Sequence, residues 1–155
     1  MVKIESPVVS TKWLGEEIGA SNLILLDASV PPVVPGYVSV NSKESFSVIP
    51  GSRRFDFDQV ICKPNTSLPH MMPTPELFER EVRKLGINNS SAIVVYDDVG
   101  LYASPRAWWM FRAMGHQEIA VLDGGLPQWM SEGRGVLGEF HKSTSGDFVA
   151  SPNEN

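Results

Sequence analysis

Thiols are nearly absent: Cys62 is the single cysteine in 155 residues. That excludes an internal disulfide and fits a reducing compartment. Metal-ligand spacing is missing as well. His116 and His141 have no ligand partners at metal spacing and Cys62 stands alone, so no metal site is expected. Basic residues are outnumbered, 13 Lys and Arg against 18 Asp and Glu, for a net charge of -5. This balance argues against nucleic acid or an anionic membrane as partner, since both reward clustered positive charge. No apolar run approaches the roughly 20 residues that span a bilayer, and "MVKIESPVVS" lacks the apolar core of a secretory signal. The glycine patterns that cradle phosphates are also missing. Gly124 and Gly125 therefore read as a turn, and no cofactor is expected.

What is present is the composition of one ordinary globular domain, 42% apolar and 20% charged. Ser10 caps a short helix over "TKWLGEEIG". "LILLD", Leu23–Asp27, and "AIVVY", Ala92–Tyr96, are continuous apolar runs of the length of buried parallel strands. Thr74, Pro75 and Glu76 open a helix whose Phe78, Val82 and Leu85 form one stripe before Gly86 stops it. A further helix over "SPRAWWMFRAMG" is capped by Ser104, with Trp108, Trp109, Phe111 and Met114 expected in the core. "IAVLDGG" is a strand and "LPQWMSEG" the last helix. Between Pro31 and Pro50 the chain is aperiodic, an irregular excursion of the kind that often forms a lid. "SRRFDFDQV" alternates as a short strand would. The alternation of strands and helices with short connections predicts an α/β fold: a central, mostly parallel sheet flanked by helices on both faces. The domain is expected over residues 1–137, with 138–155 a polar linker or tail.

Chemistry is expected where the strand over 92–96 runs into "DDVGLYA". Two readings of Asp97 stand open: a group reaching towards a partner, or a carboxylate accepting N–H bonds of its own loop. Arg106 at a helix start calls for a carboxylate partner, Asp97 or Asp98. Arg53 and Arg54 offer an anion contact or a solvated pair. Cys62 sits in an excursion without a strand-to-helix cradle and reads as a bland thiol.

In order, "VVSTKWLGEEI…LILLDAS", "IPGSRRFDFDQV", "LPHMMPTPELFEREVRKLGI", "IVVYDDVGLYASPRAWWMFRAMGH" and "VLDGGLPQWMSEG" resemble the N-terminal rhodanese-like domain of two-domain sulfurtransferases. Thiosulfate and 3-mercaptopyruvate sulfurtransferases are the members in question. The resemblance implies that the cysteine carrying the persulfide belongs to a second, C-terminal rhodanese-like domain missing from this chain. Asp97 stands at the corresponding nucleophile position here. By the same resemblance, Asp58 and His70 line the cleft between the domains as a proton-handling pair, facing a serine beside that cysteine. Arg53, Arg54 and Arg106 are then candidates to contact a small anionic sulfur donor. The implied location is cytoplasm or mitochondrion. The expected role is a nucleophile-lacking sulfurtransferase half, inactive alone. The alternative is a catalytically silent rhodanese module serving docking or regulation. A phosphatase of the related cysteine-loop type is excluded, because "DDVGLYA" has neither the opening cysteine nor the closing arginine.

Overall fold

The computed structural model describes residues 1–42, 44–66 and 71–152. Five parallel strands are β1 (Val8–Val9), β2 (Leu23–Asp27), β3 (Arg53–Arg54), β4 (Ala92–Tyr96) and β5 (Ile119–Leu122), arranged β1-β5-β4-β2-β3. Four helices accompany them: α1 (Thr11–Glu17), α2 (Pro75–Lys84), α3 (Ser104–Ala113) and α4 (Gly125–Ser131). Because side chains alternate along a strand, β2 and β4 each feed two cores. Ile24, Leu26, Ile93 and Val95 meet Phe78 and Val82 of α2 and Ala107, Met110 and Phe111 of α3. Leu25, Val94 and Tyr96 on the other face meet Leu14 of α1 and Leu126 and Trp129 of α4. Helices thus cover both faces, as their apolar strands require.

Local signals act where the sequence places them. The Ser10 and Thr74 hydroxyls accept from the N–H groups of Trp13 and Leu77, and Gly86 takes a φ of 77° beyond α2. Three details differ from expectation. Only Arg53–Arg54 of "SRRFDFDQV" is strand, although Phe55 and Phe57 keep the alternation by burying while Asp56 and Asp58 stay half-exposed. Ser104 does not cap α3 with its hydroxyl. Trp109 is 47% exposed rather than core, whereas Phe111 and Met114 are buried. Trp108 packs half-buried at the core's margin and donates its indole N–H to the Ile119 carbonyl.

The polar tail is the larger correction. Leu137 pairs antiparallel with Val48, His141 N–H donates to the Ser52 carbonyl, and Phe148 is fully buried against Phe78 and Phe111. Asn88 and Asn89 accept the N–H groups of Asp147 and Val149, while Arg83 Nε donates to the Phe148 carbonyl. A backbone held by polar side chains needs few apolar residues of its own, so composition alone reads this strap as linker. Phe148→Ala should cost about 3 kcal/mol, read as a shift of the urea midpoint.

His116 is buried beside Phe111 and Phe148, with Nε2 lacking a hydrogen-bond partner among the described residues. Burial pushes its pKa down, against smaller opposing effects that include the Glu118 charge. A base held below its unfolded value of 6.5 leaves the unfolded chain binding more protons. This contribution therefore favours the fold above 6.5 and falls away as pH drops from there towards the folded pKa. His116→Phe should flatten that part of a stability–pH profile measured by urea unfolding.

Candidate functional site

Strand order sets the location. From β2 the chain passes to β3 on one side and then returns across β2 to β4 on the other. The carboxyl ends of β2 and β4 therefore flank a point where the winding reverses, the usual place for a crevice in an open α/β sheet. Asp27 ends β2 opposite Tyr96 in the register, and Asp97 and Asp98 follow Tyr96 directly.

Asp97 is wholly buried, and its carboxylate organises the loop. Oδ1 accepts the N–H groups of Val99 at 3.0 Å and Gly100 at 2.7 Å. Oδ2 accepts those of Tyr102 at 3.0 Å, Ala103 at 2.9 Å and Ser104 at 2.8 Å. The last three lead into α3, so Asp97 does the capping expected of the Ser104 side chain. Burial alone would raise this carboxyl; the N–H bonds from Ser104, Gly100 and Val99 outweigh it and hold the pKa below its usual value. Of the two readings of Asp97, the hydrogen bonds realise the carboxylate turned inward on its own loop.

The opposite wall is α4. Gly124 and Gly125 have φ of 78° and 57°, and a Cβ on Gly125 would lie 2.6 Å from the Asp97 carbonyl and 2.7 Å from that of Gly100. Only glycine lets the helix start so close to the loop, where Leu126 N–H reaches the Asp97 carbonyl at 3.0 Å.

The other sequence candidates separate. Asp58 and Arg106 line one cavity of about 670 Å3 together with Phe57, Tyr102 and Ala103. His70 lies outside the described residues. Among those described, no ion pair joins Arg106 to Asp97 or Asp98; its guanidinium lies 4.6 Å from the centre of the Trp109 ring. That stacking also explains why Trp109 is tolerated at the surface. Strand alternation divides the arginine doublet, and neither member is simply solvated. Arg53 turns to the far side and donates to the Leu85 carbonyl at the end of α2. Arg54 stays at the crevice, 3.5 Å from Asp27 and 3.9 Å from Asp56. Cys62 is half-buried, its thiol directed at the Asp58 carbonyl. Burial, then Asp56 and Asp58, raise its pKa, the reverse of nucleophile activation.

Sequence reasoning missed Asp27. Asp27 is buried and receives the Ser29 N–H at 2.9 Å. Its pKa is raised by burial, against the opposing Ser29 hydrogen bonds and Arg54 charge. The signal was an aspartate ending an otherwise apolar strand. Among the described residues no group of three or more His, Cys, Asp or Glu is placed to hold a metal ion, and no helix is long and apolar enough to cross a membrane.

The features define an open α/β domain with a ring of loop N–H groups at its switch point, an anion cradle filled by the chain's own carboxylate. The rhodanese-like domain family matches residues 10–132, and the chain belongs to it. It is 41% identical over 150 residues to thiosulfate/3-mercaptopyruvate sulfurtransferase 1, mitochondrial, of Arabidopsis thaliana, covering 96% of this chain and 38% of the relative. Rat thiosulfate sulfurtransferase is 38% identical over 94% of this chain and 50% of its own length. The crystal structure of SseA from Escherichia coli, a 3-mercaptopyruvate sulfotransferase, superposes with a TM-score of 0.81 at 30% identity, covering 96% of this chain and 56% of that one. The chain thus spans half or less of the length of these two sulfurtransferase sequences.

Replacing Asp97 by Asn turns one acceptor oxygen into a donor facing N–H groups. Asp97→Asn should lose about 3 kcal/mol of unfolding free energy at neutral pH. Its pKa is depressed in the fold, so the wild-type contribution is complete above the ordinary value of 3.8 and is lost as pH falls through the folded pKa. The stability gap between variant and wild type should therefore shrink only below pH 3.8, as followed by circular dichroism.

Proposed function

We propose that this chain is the nucleophile-lacking half of a sulfurtransferase. The thiol sulfur of 3-mercaptopyruvate, with pyruvate leaving, or the sulfane sulfur of thiosulfate, with sulfite leaving, would pass to a thiol or cyanide through a cysteine persulfide on a second rhodanese-like domain. One observation carries the reading: the cradle that suits a thiolate or persulfide is closed by the Asp97 carboxylate, which has no sulfur to carry. The thiol of Cys62 lies elsewhere with a raised pKa. Apolar groups stand exposed around the same end of the domain, among them Val33, Tyr37 and Val38 of the excursion, Leu101 of the loop and Trp109 of α3. Such a surface suits contact with another folded unit. The same exposed groups also suit the second reading, a silent module that docks a different protein. In the two-domain enzyme Asp58, with His70, would handle protons in the cleft, and Arg106, on the same cavity as Asp58, would draw in the anionic donor. The proposed location is cytoplasm or mitochondrion.

The 155-residue chain should show no sulfur transfer above buffer with thiosulfate and cyanide or with mercaptopyruvate and a thiol. Cys62→Ala should change nothing. Transfer by the wild-type chain that disappears in Cys62→Ala would overturn the assignment. Asp97→Cys should place a thiol among the loop N–H groups, with a pKa below that of Cys62 when thiolate absorbance is followed against pH. A thiol pKa no lower than that of Cys62 would remove the cradle as an anion site.

A further inference from the structure

Beside the Asp58–Arg106 cavity lies a second one, of about 490 Å3, with Val30 and Pro31 common to both linings. Its size is that of a small-molecule site. Pro32, Phe46 and Phe140 give it an apolar wall, and Phe46 and Phe140 meet edge to face with centroids 5.7 Å apart. Among the described residues its charged groups are Asp27, Arg54 and Asp98.

The charges do not balance. Arg54 is matched by Asp27 and, behind it, by Asp56. Asp98 is left over. It is 8% exposed, its Oδ1 is buried without a hydrogen-bond partner, and its Oδ2 has only a long 3.4 Å contact from Asn41 Nδ2. Its backbone, by contrast, is pinned: the N–H donates to Ser29 Oγ at 2.9 Å and the carbonyl accepts from Val40 at 3.0 Å. On this fixed backbone Oδ2, held by one long contact, has room for a further donor from the cavity side, and a charged one makes the strongest bond.

We propose that this cavity binds a small primary amine, with its ammonium on the Asp98 carboxylate and its apolar body against Pro32, Phe46 and Phe140. An anion is disfavoured because Arg54 is already neutralised and Asp98 would repel it. A divalent ion is disfavoured because Asp27 is already paired with Arg54 and, among the described residues, no group of three or more His, Cys, Asp or Glu stands together. The site is independent of the Asp97 cradle, whose carboxylate is filled by N–H groups.

Benzylammonium, benzyl alcohol and benzoate share one apolar body and differ in charge. Titration calorimetry of the 155-residue chain at low salt, with amide chemical shifts in parallel, separates them. Benzylammonium should bind one to one with shifts centred on Ser29, Asn41 and Asp98, and the other two should not saturate at about 10 mM. Asp98→Asn should weaken benzylammonium about tenfold or more. Phe46→Ala trims an exposed ring and should weaken it severalfold with Asp98 intact. The inference fails if benzyl alcohol or benzoate binds as tightly as the amine. It also fails if benzylammonium does not saturate, or if folded Asp98→Asn binds it unchanged. Should Asp98→Asn not fold, the three-ligand series and Phe46→Ala decide.

Discussion

A single carboxylate sets the geometry of the crevice. Asp97 gathers five backbone N–H groups from the turn after β4 and the first turn of α3. A buried anion without partners would be strongly unfavourable, so the loop can close only if its amides converge. That convergence fixes where α3 begins. It also draws the start of α4 against the loop, at a distance only Gly125 allows. Tyr102 of this loop and Arg106 of α3 then line the cavity that Asp58 borders from the segment after β3.

Backbone amides converging on a loop can hold anions other than a carboxylate. A thiolate or persulfide would find the same donors. On the function proposed above, the aspartate would keep the architecture of the loop without a sulfur to carry. Fold and reactivity are separable here because the stabilising groups belong to the backbone, and the reactive atom would belong to one side chain.

Much of the architecture was legible in the sequence. The runs at 23–27 and 92–96 and the Thr74-Pro75 opening signal depend on local chemistry, and the structure keeps them. What stayed hidden depends on distant partners. Asp97 replaced the Ser104 cap because the loop folds back on it, which no helix-start rule registers. Trp109 came to the surface because Arg106 covers its face. Arg53 and Arg54 parted because a two-residue strand sends neighbours to opposite sides. Asp27 gained its role only when β2 and β4 were laid side by side.

The strap over residues 137–151 bears on where the domain begins and ends as a unit of folding. The family match closes at residue 132, yet Phe148 fills the gap between α2 and α3, and Ser151 still bonds the Met114 carbonyl. A chain cut at the edge of the family resemblance would expose Phe78, Phe111 and His116 together, a sticky aromatic face on an otherwise acidic molecule. The family match and the packed body are thus different lengths of the same polypeptide. A gene fusion or split placed at the module's border would produce an aggregating product.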